Sequence, residues 1–401
     1  MKQSLLTNAD LKKAVKKFGS PFLIQDLSKV QNQYLQLKQA LPNFRLHYAV
    51  KPLPDANVIR ALKAVGASFD LAGNGEIDLV KSQGVSPNDC IHTHPIKKDS
   101  DIRYALEFGC SVFVYDNLCE LKKFIPYKKN VQLLLRLSFP NPETPVDLSK
   151  KFGCTPDEAM DLLKAACELG INVVGLSFHV GSQAPNPKRH VEAIETCNGI
   201  IRQAQADGID LKILDIGGGF PVDYLNAEDT DIDAFCAPIR EACNKLPVNL
   251  ELKAEPGRFI AAPCMISVSS VVGVSRRQDV PWYYVDDGVY GSYSGQIFDH
   301  VVYPKSVISD SPLTEKSVLA GPTCDSIDIL AEGINLPHLK VGDLLVGRMM
   351  GAYTSATATE FNFIPKAKII SVESLEKLHE ELNSQDDSVT TLEIEQKARL
   401  A

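Results

Sequence analysis

The run His47-Tyr48-Ala49-Val50-Lys51 ends in a single lysine just before Pro52. Arg45 to Val50 reads as a buried strand, so the amine stands where that strand meets its loop. A charge there is costly unless solvated or used, and its reactive use is a Schiff base to a carbonyl, with neighbours lowering its pKa. Gly217-Gly218-Gly219 follows the apolar run Ile213-Leu214-Asp215-Ile216. Three glycines let backbone N–H groups converge on an anion such as phosphate, whereas a tight turn needs only one or two. No GKS or GKT follows and the spacing is not GxGxxG, so ATP and NAD are poorly supported. In Glu255-Pro256-Gly257-Arg258 the arginine either pairs with the carboxylate or supplies a second phosphate ligand, leaving Glu255 for a ring nitrogen. Phe178-His179-Val180-Gly181-Ser182-Gln183 offers an imidazole able to stack on a flat group and a hydroxyl for its phosphate. A lone strand-end histidine is more often structural, and His179 gains its weight from company.

These residues need strands that end together. Short β-type runs are predicted at 45–50, 67–72, 90–93, 111–115, 131–137, 173–179, 211–216 and 248–254, with helical patterns at 57–65, 76–83, 101–108, 156–169 and 189–206 between them. Alternating βα units of this number favour a (β/α)8 TIM-like barrel, with a doubly wound open sheet as the competing topology. Each run ends near a chemically capable group: Lys51, Asp70, His94, Asp116, Arg136, His179, Gly217–Gly219 and Glu255. Barrel enzymes build their sites on this C-terminal rim. Wet loops alone account equally well for His94 and Asp116. After residue 265 the runs 265–274, 282–285, 316–319, 343–346 and 367–372 lack long helices. They predict a second, mostly antiparallel β domain, joined by a strand from the residues before 26. The expected division is 27–264 for the barrel and 1–26 with 265–401 for the β domain. The tail from Glu373 carries weak helical periodicity at Leu375, Leu378 and Leu382.

The 401 residues carry a net charge of −8, which disfavours nucleic acid or an anionic membrane as the main partner. Ten cysteines are scattered without CxxC pairs or Cys/His clusters, so no metal site is expected and a reducing, cytoplasmic compartment is. The N-terminus lacks the apolar core of a signal peptide, and no run approaches a membrane span.

One small molecule needs a lysine for its aldehyde, an acid for its pyridine nitrogen, a flat face to rest on and N–H groups for its phosphate: pyridoxal 5′-phosphate (PLP). At this point the chain resembles the barrel-type (fold type III, alanine racemase-like) PLP-dependent decarboxylases of basic amino acids, a group including ornithine, diaminopimelate and arginine decarboxylases. The likeness runs from about residue 20 to 365 through YAVKPL, FDLAGNGE, FHVGSQ, DIGGGFP, EPGRF, DDGVYGS, GPTCDSID and GAYT, in the expected order. It implies Lys51 as the Schiff-base lysine, Glu255 as the partner of the pyridine nitrogen and His179 stacked on the ring. It implies Ser182, Gly217, Gly218, Gly219, Gly257, Arg258 and Tyr353 around the phosphate, and Asp70, Glu76 and Arg136 around the lysine and cofactor. Cys324 corresponds to the cysteine that returns a proton to Cα, reaching the partner subunit's site in a head-to-tail homodimer.

The far end of the substrate remains. Asp325, after Cys324, and Asp299, in Gln296-Ile297-Phe298-Asp299-His300, are two carboxylates suited to a distal ammonium, with Tyr290 of DDGVYGS beside them as a further candidate. This pattern resembles the ornithine branch, with a helix cap or turn residue as the lesser alternative for Asp299. One methylene separates ornithine from lysine and is worth only about 1–3 kcal/mol in a pocket, so lysine is a realistic second substrate. Arginine or diaminopimelate decarboxylation is the alternative on the same fold. A non-catalytic PLP carrier or regulatory homologue is the alternative of another class, and a racemase is disfavoured by Glu255.

Overall fold

The computed structural model describes residues 7–144, 147–224 and 231–377. Eight parallel strands, Phe44–Ala49, Ser68–Leu71, Cys90–His92, Val112–Tyr115, Gln132–Leu137, Val173–Phe178, Ile213–Asp215 and Glu251–Ala254, close into a barrel. Closure is made by the first and last, with Leu46 opposite Ala254. That pairing removes the open-sheet alternative, since a doubly wound sheet leaves both edge strands apart. Helices of the βα units include Ala56–Ala64, Asn74–Ser82, Asp99–Phe108, Ala159–Leu169 and Lys188–Ala206. Asp55 starts the first of these by accepting the amides of Asn57 (2.9 Å) and Val58 (3.1 Å), a side-chain N-cap. Leu27–Ala40, Leu118–Lys123 and Ile232–Cys243 are further helices that the sequence reading left unassigned.

Successive residues of a barrel strand alternate between two faces. Val114, Leu134, Val174 and Ile213 pack as one apolar layer. Two residues further along three of these strands, on the same faces, come Asp116, Arg136 and Asp215. One pleat thus separates an apolar plug from a charged rim, and the site begins there.

The chain divides into two compact units, residues 27–264 with 351–356, and residues 1–26, 265–350 and 357–401. In the second unit a sheet runs in the order Lys305–Ile308, Leu344–Gly347, Met265–Arg277, Val280–Val285, Thr314–Ala320, Ile329–Pro337. Phe22–Gln25 joins it antiparallel to Met265–Arg277 and parallel to Lys368–Ser371. Val280–Val285 and Thr314–Ala320 are also parallel, and the remaining pairs are antiparallel. Lys305–Ile308 and Ile329–Pro337 escaped the sequence reading; the second is broken by Gly333 at φ +65° and by register shifts against its neighbour. The residues before 26 supply the expected strand and also a helix, Asn8–Phe18, whose Leu11 and Ala14 pack with Phe22, Val268, Ile370 and Leu375. Residues 372–377 are helical; Leu378 and Leu382 lie outside the described residues. Among the described residues, no helix is long and apolar enough to cross a membrane.

Candidate active site

The first barrel strand delivers Lys51. The Ala49 amide donates to Pro256 O (3.0 Å) and the Val50 amide to Asp70 O (3.1 Å), tying this strand end to both neighbours. The Lys51 amine stands 3.7 Å from Asp70 Oδ2; the lysine side chain is 42% exposed and the aspartate 1%. Asp70 Oδ1 accepts the hydroxyl of Thr93, which sits one residue past the third strand. Neighbours were expected to lower the Lys51 pKa, and the structure reverses this. Burial pushes it down, but Asp70 foremost, then Tyr353 and Glu255, push it up further, so the amine is held charged. Glu76 Oε2 accepts the Ala72 amide (2.6 Å), and burial drives its carboxyl up to about 7. Arg136, from the fifth strand, faces the Phe152 ring at 5.5 Å. Burial weighs against its charge, and Glu255, Asp116 and Asp70 favour it.

The three glycines pass between two strand ends. A Cβ on Gly217, whose φ is +66°, would stand 2.2 Å from Phe178 O; one on Gly218 would meet Glu255 O at 2.8 Å and His179 Nε2 at 3.0 Å. Both the backbone angle and the space therefore demand glycine. The turn is held by Asp215 Oδ1, which accepts the Gly217 amide (2.9 Å), and by His190 Nε2 on Gly218 O (3.0 Å). Glu255 donates its own amide to Gly217 O (2.7 Å) and is 8% exposed. Gly257 allows a second close approach, since a Cβ there would lie 2.7 Å from Pro52 Cγ.

Arg258, 6% exposed, opens the short helix Arg258–Ala261. Its Nε donates to Ser182 Oγ (3.2 Å), its Nη1 to Tyr224 Oη (2.9 Å), and its guanidinium lies 4.8 Å from the Tyr353 ring. Tyr353, at φ +55°, donates its amide to Pro52 O (2.9 Å), linking it to the loop that carries Lys51. Tyr224 and Thr93 were missed by sequence reasoning. Tyr224 follows the glycine run at Phe220-Pro221-Val222-Asp223, a position a reader could have searched for hydroxyls. His179 Nδ1 accepts the Gly181 amide (3.0 Å), which leaves the ring proton on Nε2. Burial, then Arg136 and Lys51, hold its pKa well below the usual histidine value, so the imidazole is neutral.

Tyr290, Asp299, Cys324 and Asp325 all belong to the β unit. The Tyr290 hydroxyl donates to Asp325 Oδ2 (2.5 Å), and its ring stacks on Phe361 with centroids 4.5 Å apart. That hydrogen bond, with the Ile327 amide behind it, holds the Asp325 carboxyl below its ordinary pKa. Cys324 is exposed and donates its amide to Asn362 Oδ1 (3.0 Å). Asp328 pins the two motifs together, accepting the Val289 amide (2.9 Å) and the Thr323 amide (2.9 Å). Asp299 ends the one-turn helix Gly295–Phe298, its amide on Gly295 O (3.0 Å).

The barrel rim offers an amine for an aldehyde, a buried carboxyl for a ring nitrogen, a neutral imidazole for a ring face, and a cradle of glycines and arginine for a phosphate. The glycine turn leaves no room for side chains beside His179 and Glu255, and buried Arg258 donates to Ser182 and Tyr224. These residues fit pyridoxal 5′-phosphate, and the fold and rim together define the class of barrel-type PLP enzymes. Residues 27–262 match the family model described as "Pyridoxal-dependent decarboxylase, pyridoxal binding domain". The lysine/ornithine decarboxylase of Selenomonas ruminantium is 33% identical over 96% of this chain and 98% of its own. A crystal structure of lysine/ornithine decarboxylase complexed with cadaverine from Vibrio vulnificus superposes with a TM-score of 0.87 at 52% identity, over 92% of this chain and 100% of that one. Antizyme inhibitor 2 of Xenopus laevis is 35% identical over 85% of this chain and 78% of its own. The chain belongs to the pyridoxal-dependent decarboxylases.

Proposed function

We propose that the protein decarboxylates L-ornithine to putrescine and L-lysine to cadaverine, each reaction releasing CO2 and replacing it at Cα by a proton. When bound, PLP supplies the electron sink for the pair that CO2 leaves behind. In this reading Lys51 holds the aldehyde carbon, and Asp70 fixes its amine. Glu255 accepts the ring N–H, neutral His179 covers one ring face, and Glu76 and Arg136 complete the surroundings. Ser182, Arg258, Tyr353, Gly257 and the glycine turn hold the phosphate, and Tyr224 joins them through Arg258. Residues 27–264 with 351–356 serve as the cofactor domain, while residues 1–26, 265–350 and 357–401 supply the substrate end. Cys324 delivers the proton to Cα across the interface of a homodimer.

The observation that carries the substrate assignment is the Asp325 carboxylate, kept ionised by Tyr290 next to Cys324. A fixed anion there suits a distal ammonium and repels the second carboxylate of diaminopimelate. Asp299 is the second carboxylate of that end. The likeness to a structure complexed with cadaverine supports the same reading. The likeness to antizyme inhibitor 2 keeps a regulatory homologue in view, but Lys51, Arg258 and Glu255 are all in place here. The net charge and scattered cysteines support a cytoplasmic enzyme.

The test is CO2 release by the PLP-loaded protein from L-ornithine, L-lysine, L-arginine and meso-diaminopimelate. Ornithine and lysine leading in kcat/KM supports the assignment; arginine or diaminopimelate in front overturns the role of Asp325. No turnover on any, with PLP bound, favours the regulatory homologue. Lys51→Ala should abolish both turnover and the bound cofactor's visible absorption, and normal turnover in that variant would refute the mechanism.

A further inference from the structure

Asp215 ends the strand Ile213–Asp215 with no exposed surface. Its Oδ1 accepts the Gly217 amide, but its Oδ2 is buried with no hydrogen-bond partner among the described residues. An ionised oxygen so placed is expensive. The cation opposite it in register, Lys253, does not hydrogen-bond it: that amine bonds Glu251 Oε1 (2.5 Å), at the other end of its strand. Glu255 lies two residues beyond Lys253 on the same face, and its carboxyl is within hydrogen-bonding reach of Asp215. Two carboxylates cannot bond to each other; one proton turns the contact into O–H···O and gives the orphaned Oδ2 its partner.

We propose that Asp215 is a positioning residue that shares one proton with Glu255, and that this proton rests on Asp215 Oδ2 once PLP is bound, leaving Glu255 an anion against the pyridine nitrogen. The inference rests on the assignment of Glu255 to that nitrogen. Burial raises both carboxyls, Asp215 to about 6 and Glu255 well above the ordinary carboxylate range; the charge of Asp215 adds to the rise on Glu255, whereas the hydrogen bond from Glu255 favours the ionised form of Asp215. Asp70 pushes both the same way; Lys253 favours charge on Asp215, and Lys51 and Arg136 favour it on Glu255. Before binding, the shared proton sits on Glu255, because the Gly217 amide on Oδ1 and nearby Lys253 favour the charge on Asp215, while Asp215 and Asp70 both oppose it on Glu255. A ring N–H pointing at Glu255 would need an acceptor there, and the shared proton would then pass to Asp215, which would donate back to Glu255. No bond but O–H changes, and the shared proton is conserved.

Infrared difference spectra of PLP-bound minus PLP-free protein, with and without carboxyl-13C aspartate, read the proton's position directly. The expected result is a protonated-carboxyl stretch that appears on PLP binding, shifts with aspartate labelling and is missing in Asp215→Asn. A second reading is PLP affinity: Asp215→Asn keeps a donor toward Glu255 and should bind PLP about tenfold more tightly than Asp215→Leu. No aspartate-sensitive band, or equal PLP affinity in the two variants, overturns the proton placement. The visible absorption of bound PLP and its loss in Lys51→Ala report separately on the site assignment. An intact signal there with no aspartate band sinks this inference alone, and a missing signal sinks both.

Discussion

Asp70 has two oxygens and two tasks. One accepts the Thr93 hydroxyl and the other faces the Lys51 amine at 3.7 Å, so the hydroxyl sets the direction in which the carboxylate presents its charge. A hydrogen bond to a charged group is worth roughly 1.5–3 kcal/mol, so Thr93→Val should lower kcat about tenfold. It should also move the pH midpoint of the bound cofactor's visible absorption, and Thr93→Ser should restore both. A Thr93→Val enzyme with wild-type kcat and midpoint would leave the threonine a packing residue. At the distal end, Asp325→Asn keeps the Tyr290 contact but removes the charge. KM for ornithine and lysine should rise about tenfold or more, with PLP affinity held, because a charge-assisted bond becomes a neutral one. Steady-state kinetics beside a PLP titration separates the two, and parallel losses would mark Asp325 as structural. Cys324→Ala should release less amine per CO2 and convert cofactor to its amino form, as the proton reaches the wrong carbon; product analysis by chromatography decides this.

The helix Lys188–Ala206 supports the glycine turn through one side chain. His190 is fully buried, its Nε2 donates to Gly218 O, and its Nδ1 has no partner among the described residues. Burial holds its pKa down at about 4, against 6.5 for an unhindered histidine. Between those values the unfolded chain binds the proton and the folded chain does not. Stability from this residue is therefore present above pH 6.5 and lost as pH falls toward 4, by at most about 3 kcal/mol. His190→Gln keeps a donor but does not titrate, so Tm measured between pH 7 and pH 4 should fall less steeply than in the wild type. Equal slopes would mean that His190 titrates alike in both states. A helix remote in sequence from Lys51 thus supports the glycine turn at the barrel rim.

For the whole molecule, the proposed homodimer makes a quantitative claim about shared sites. If Cys324 of one protomer completes the Lys51 site of its partner, neither Lys51→Ala nor Cys324→Ala homodimers form amine normally. Mixed and allowed to exchange, they should recover about a quarter of wild-type amine formation, since half the dimers are mixed and each contains one intact site. No recovery, with exchange shown by mass, would place both residues of a site in one chain.

The order of motifs along the chain, YAVKPL through GAYT, identifies the family, the cofactor and most of the rim, because glycines, a lysine and an EPGR run have few other reasons to follow strands at these spacings. The eight barrel strands were also legible, within a few residues, from alternating βα periodicity. Local sequence does not carry what depends on two strands meeting. The Leu46–Ala254 pairing that closes the barrel is one such fact, and the strand interrupted at Gly333 is another. Tyr224 on Arg258, Thr93 on Asp70 and the Asp215–Glu255 contact join residues that share no motif and no short spacing. The sign of the Lys51 shift was decided the same way: one lysine reads as an amine to be neutralised, and only the fold places Asp70 beside it to keep it charged. The sequence by itself determined which chemical groups are present and in what order. The tertiary structure decided their protonation and their partners, because burial and distance are properties of strands brought together, not of neighbours in the chain.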